Sequence, residues 1–106
     1  MIPGRPRRVL TKVVDEEFVV RCRSGSTGIF REEVFHDENG VVVKYNLAFI
    51  HFGLNQEDNG RVLGYDNAHG FHERHWMGKS ERVQFHDYTA AFDRFMWELN
   101  ELKEQA

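Results

Sequence analysis

Apolar and polar residues alternate through the first half of the chain and then change period. "RRVLTKVV" and "EFVVRCR" are short β-branched runs joined by the acidic "DEE", which reads as a tight connection between two strands. In the second run Phe18, Val20 and Cys22 alternate with Val19, Arg21 and Arg23, so one face is the more apolar. "SGSTG" breaks the pattern as a loop. "IFREEVFH" and "VVVKYNLAFIHFGL" flank "DENG", where Asn39-Gly40 offers the positive backbone torsions of a hairpin turn. The second of these strands places Val41, Val43, Tyr45, Leu47 and Phe49 on one face and Val42, Lys44, Asn46, Ala48 and Ile50 on the other. After "NQEDNG", "RVLGYD" returns as a shorter strand, and its Gly64 marks a bulge or a close backbone approach.

From Asp87 the period becomes helical. "DYTAAFDRFMWELNELKEQA" sets Tyr88, Ala91, Phe92, Phe95, Leu99 and Leu102 on one face, with Asp87 as the N-cap and Trp97 off the stripe. The pattern predicts an α+β fold: an antiparallel β-meander of about five strands with one C-terminal helix packed on it. Residues 1–106 are expected to form one domain. One sheet face lies under the helix, and the other is a polar binding platform.

Composition narrows the function classes. A lone Cys22, most simply a core residue, excludes an internal disulfide and a multi-cysteine zinc site. No apolar run is long enough to cross a bilayer, and no signal-peptide core follows "MIPGRPRR", so a cytoplasmic location without membrane partners is expected. Residues 1–31 carry seven Lys/Arg against three Asp/Glu, and the remainder seven against fourteen. Such asymmetry permits a basic surface on an acidic protein, although solvated strand edges produce the same pattern.

Candidate chemistry concentrates in "YDNAHGFHERHWMGKSERVQF", where three of the six histidines stand three residues apart. His69, His72 and His75 cannot converge from one strand, and Gly70 disfavours a helix, so a loop after Asp66 is expected. Three readings are open. Asp66 and the histidines supply enough ligands for zinc. Asp66 and Asn67 equally suit an Asx-type turn carrying surface histidines. The acid–base reading makes His72 and His75 proton-transfer groups, Asp66 the orienting carboxylate and Arg74 the phosphate-steadying cation. Asn67, His69, Lys79, Arg82 and Lys44 are then the candidates for substrate binding, with no metal or cofactor. His36 and His86 border turns, and His51 reads as a satisfied core histidine.

The segment "GYDNAHGFHERH" resembles the TumE-like family of prokaryotic toxins from toxin–antitoxin pairs, with the match running from Tyr65 to Lys79. The matching positions are Asp66, Asn67, His69, His72, Arg74 and His75. This resemblance implies a cognate antitoxin, expected as a helix-turn-helix protein, and an RNA target. The resulting expectation is an RNA-acting toxin that cleaves phosphodiesters without a metal. The rival expectations are a noncatalytic nucleic-acid- or protein-binding module and a metal-dependent nuclease or hydrolase.

Overall fold

In a computed structural model describing Val9–Ala106, six antiparallel strands run in chain order through one sheet. They are β1 (Thr11–Arg21), β2 (Thr27–His36), β3 (Val42–Ile50), β4 (Arg61–Asp66), β5 (Glu73–Trp76) and β6 (Lys79–Arg82). A single helix, α1 (Tyr88–Gln105), follows and lies against β3 and β4. The expected meander and packing helix are present. The basic start "MIPGRPRR", including the opening arginines of the first expected strand, lies outside the described residues. Among the described residues no helix is long and apolar enough to cross a membrane.

Two parts of the expected pattern differ. Asp15, Glu16 and Glu17 do not form a connection but lie inside the continuous strand β1, opposite Glu33, Glu32 and Arg31. Carboxylates facing one another across a ladder repel. Here Lys12 bridges Asp15 and Glu33, and Arg31 reaches Asp15, Glu17 and Glu33, so these three acids gain cations by staying in register, while Glu32, opposite Glu16, accepts the Tyr88 hydroxyl. The second difference is the expected loop after Asp66. It folds back as the hairpin β5–β6, which turns at Met77 (φ 50°) and Gly78 (φ 85°). At the other hairpin only Gly40 has a positive φ, and the Asp37 carboxylate accepts the amides of Asn39 and Val41.

Strand alternation sorts the side chains by face. Phe30, Tyr45, Leu47, Phe49, Leu63 and Tyr65 point beneath the helix and join buried Phe95, Leu99 and Cys22 in the core. Phe95 sits at the centre, its ring 5.1 Å from Phe30 and edge-on to Tyr65 at 6.3 Å. The Asp87 carboxylate caps α1 by accepting the Ala90 amide at 2.7 Å. Trp97, off the stripe, is exposed. His51 is buried, with Nε2 3.0 Å from the Ser26 hydroxyl but Nδ1 without a hydrogen-bond partner, so the expected satisfied core histidine is met at one nitrogen only.

Truncating a fully buried Phe typically costs about 3–5 kcal/mol. Phe95→Ala is therefore expected to lower Tm by more than about 10 °C. Exposed Glu101→Ala should leave Tm nearly unchanged. Equal melting temperatures for the two variants would disprove the helix–sheet packing.

Candidate metal centre

The site begins at the end of β4. Asp66 is its last residue and faces away from the helix, opposite Asn46 on β3 and Glu73 on β5. Its Oδ1 accepts the Ala68 amide at 3.1 Å, which turns the chain out of the strand. Asn67 fastens this corner to β3: its side-chain oxygen accepts the Tyr45 amide at 3.1 Å and its NH2 donates to the Val43 carbonyl at 3.0 Å. Gly70, at φ +83°, then bends the chain into β5.

Gly64 explains how Asp66 acquires a cation. A Cβ at Gly64 would lie 2.8 Å from the Arg61 Cδ and 3.2 Å from the Leu47 carbonyl oxygen. The missing side chain thus leaves a channel along which Arg61 stretches. Its guanidinium meets Asp58 at 2.7 Å and Asp66 Oδ2 at 3.2 Å.

Across the β4–β5 ladder, His75 lies opposite Gly64 and shares the face of Asp66 and Glu73. All three side chains are buried, and one potential ligand atom from each lies within 4.8 Å of the other two. His75 Nε2 is 2.8 Å from Asp66 Oδ2, yet this buried nitrogen has no hydrogen-bond partner. The short separation and the missing bond are reconciled by angle: the carboxylate oxygen lies off the axis along which the ring nitrogen donates or ligates. Glu73 receives a further partner from the solvent side, His69 Nδ1 at 2.7 Å. That hydrogen bond holds the exposed His69 imidazole above its ordinary pKa.

The register gathers Asp66 and His75, with His69 beside them on Glu73, and separates His72 and Arg74 from this group. His72 lies toward the helix side, stacked on Phe85 at 3.8 Å, with Nδ1 2.9 Å from the Tyr45 hydroxyl. Burial there lowers its pKa, favouring the neutral ring. His75 faces the opposite side, so His72 and His75 do not meet as an acid–base couple. Arg74 and His75, expected as exposed loop residues, are both largely enclosed. The Arg74 guanidinium pairs with Glu98 on α1, which also accepts the Tyr65 hydroxyl, so it is directed at the helix. Burial, followed by Glu98, pushes the Tyr65 phenol up to about 12.

The remaining candidates are dispersed. Lys79 is on the exposed strand β6, and the Arg82 guanidinium rests 3.7 Å over the Phe71 ring. Lys44 is on the same face as Asp66. Its ammonium stands 5.3 Å over Phe35, at a cleft of about 290 Å³ lined by Glu33, Asn46, Arg61 and Asp66. Glu73 was absent from the expected ligand set. Its sequence signal is the alternation Glu73-Arg74-His75, which becomes informative only once residues 73–76 are read as a strand.

No family model, curated protein or solved structure matches the chain. These comparisons give no support to the expected TumE-like resemblance over residues 65–79, or to an antitoxin or RNA as partner.

Next to the cleft, Glu33 is gripped by Arg31, Lys12 and the Asn46 amide, which hold its carboxyl down at about 2 instead of the ordinary 4.5. A depressed carboxyl pKa stabilises the fold above the unfolded value and loses that contribution as pH falls through the folded one. Wild type should therefore lose Tm between pH 4.5 and about 2 partly through Glu33. Glu33→Gln is expected to flatten this part of the Tm–pH curve. Parallel curves for the two proteins would show that the ion pairs contribute nothing.

Proposed function

We propose that this protein is a divalent-metal-dependent hydrolase whose ion is held by Asp66, Glu73 and His75. The carrying observation is the buried His75 Nε2, which lacks a hydrogen-bond partner while two carboxylates supply ligand atoms within 4.8 Å. An unmet buried polar atom costs about 1–3 kcal/mol; His51 Nδ1 is also unmet, but among the described residues only His75 combines such a nitrogen with two carboxylates at ligand spacing. A metal ion would use it without requiring an in-line carboxylate.

The donor set also fits. At bonds of about 2.1 Å, two donors on one ion would stand about 3.0 Å apart at right angles and about 3.4 Å apart in the tetrahedral arrangement usual for Zn²⁺. The His75–Asp66 separation of 2.8 Å is nearer the first and would open slightly for the second. Two carboxylates and one imidazole form a mixed oxygen–nitrogen set suited to Mn²⁺ or Zn²⁺. Arg61 and His69 orient the carboxylates from outside, the arrangement by which outer partners tune a bound ion. Three protein ligands would leave coordination positions open, and a divalent ion held by Asp66, Glu73 and His75 would supply an activated water at neutral pH by lowering its pKa.

Purified without a histidine tag, the chain is expected to bind one Mn²⁺ or Zn²⁺ by titration calorimetry, with a rise in Tm. Glu73→Gln and His75→Ala should each weaken binding more than about 100-fold, beyond the 10–100-fold typical of outer partners. Circular dichroism would verify that both variants fold. Any hydrolytic turnover should vanish in chelator and return with the ion. Turnover that persists in chelator and depends on His72 would reinstate metal-independent acid–base chemistry. Failure of the folded wild type to bind either ion would end the metal reading.

A further inference from the structure

Resting on that metal site, we infer that the group presented to the ion is a phosphate, received by Lys44 in the adjoining cleft. Asp66 belongs to both places: it is one of the three donors and also lines the cleft. Register supplies the spacing. Asn46 is the direct partner of Asp66, and Lys44 lies two residues along β3 on the same face. At about 3.4 Å per residue its Cα is about 7 Å further along the strand, within reach of a four-carbon side chain.

Charge accounting identifies the uncommitted group. On one wall Glu33 has Lys12 and Arg31 each at 2.9 Å. Arg61 is divided between Asp58 at 2.7 Å and Asp66 at 3.2 Å. Lys44 makes no ion pair among the described residues, and its ammonium stands 5.3 Å over the Phe35 ring. An ammonium with unused donors beside an ion on two carboxylates forms a two-point receptor for an anion with several oxygens. The Asn46 side-chain amide adds a polar group on the same wall. Phosphate meets these demands with one oxygen for the ion and others for Lys44.

The same electrostatics impose an order. Without the ion, the anion would face Glu33, Asp66 and Glu73, which favour a cation. With the ion in place, the charge of Asp66 and Glu73 is answered and the field at Lys44 becomes attractive to an anion. Metal and phosphate should therefore bind with positive coupling, each raising the other's affinity by the same factor.

The test is titration calorimetry of the full chain with Mn²⁺, and with inorganic phosphate in the presence and absence of Mn²⁺. Phosphate is expected to bind the Mn²⁺-loaded protein at least about tenfold more tightly than the metal-free protein, within the usual range of coupling between sites. Lys44→Gln should weaken phosphate binding about tenfold or more, as loss of a charge-assisted hydrogen bond does. It should leave Mn²⁺ affinity in the absence of phosphate unchanged, because Lys44 is not a ligand. Lys44→Arg keeps the charge and should retain phosphate binding. If wild type takes up Mn²⁺ but phosphate binding ignores both the ion and Lys44, the phosphate inference is wrong and the metal reading survives. If wild type takes up no Mn²⁺, both fall together.

Discussion

The buried carboxylate of Asp66 is the constraint around which the polar half of the molecule is organised. An ionised carboxylate withdrawn from water must be paired and hydrogen-bonded, or it gives up its charge. Asp66 has two such partners, the Ala68 amide of the following turn and Arg61 at the start of its own strand, while His75 on the neighbouring strand stands 2.8 Å away without hydrogen-bonding it. Each of the three depends on a local feature of the chain. The turn needs the Asp66-Asn67 pair, Arg61 needs the vacancy above Gly64, and His75 needs the β4–β5 register. A shift of one residue in that register would send His75 to the helix side and take the imidazole away from the carboxylate.

Buried ion pairs are weak evidence for stability, since apolar residues of similar volume often serve as well or better. The contrast between the two faces is informative on this point. Under the helix, Phe95, Leu99, Leu63 and Phe49 provide the stabilising burial, with Tyr65 and Arg74 closing its edge on Glu98. The opposite face holds acids, arginines and an imidazole nitrogen without a hydrogen bond. Stability accounts for the first face. On the proposed reading, a bound cation would account for the unpaired nitrogen on the second.

Elements with strong periodicity were legible in the sequence. Helix α1 begins after its expected cap, and Tyr45, Leu47 and Phe49 occupy the expected buried face. The hairpin β5–β6 was not legible, for a physical reason. Two-residue turns of this kind advertise themselves by Asn or Asp before Gly, whereas this one uses Met77-Gly78. Without the turn signal, His69, His72 and His75 looked like a loop cluster, and Glu73 like one acid among many. The importance of Asp66 was visible from its position beside the histidines, but its partners were set by cross-strand register. The "DEE" segment misled in the opposite direction. Its charge suggested a turn, although Lys12 and Arg31 make the same charges compatible with a strand.

Arg74 joins the two faces. Its guanidinium ties β5 to the helix through Glu98, while the next residue, His75, points the other way beside Asp66. The hairpin that carries Glu73 and His75 is short, and β6 at its edge is exposed throughout. Left to its own ladder, such a hairpin would hold ligands loosely, and a loosely held ligand shell binds poorly. Three contacts on the helix side or at its base stiffen it: Arg74 with Glu98, His72 stacked on Phe85, and the Val83 amide donating to the His72 carbonyl at 3.0 Å. His72 and Arg74, which the sequence suggested as reacting groups, thus act in this arrangement as anchors. They fix from one side of the sheet the positions of Glu73 and His75 on the other.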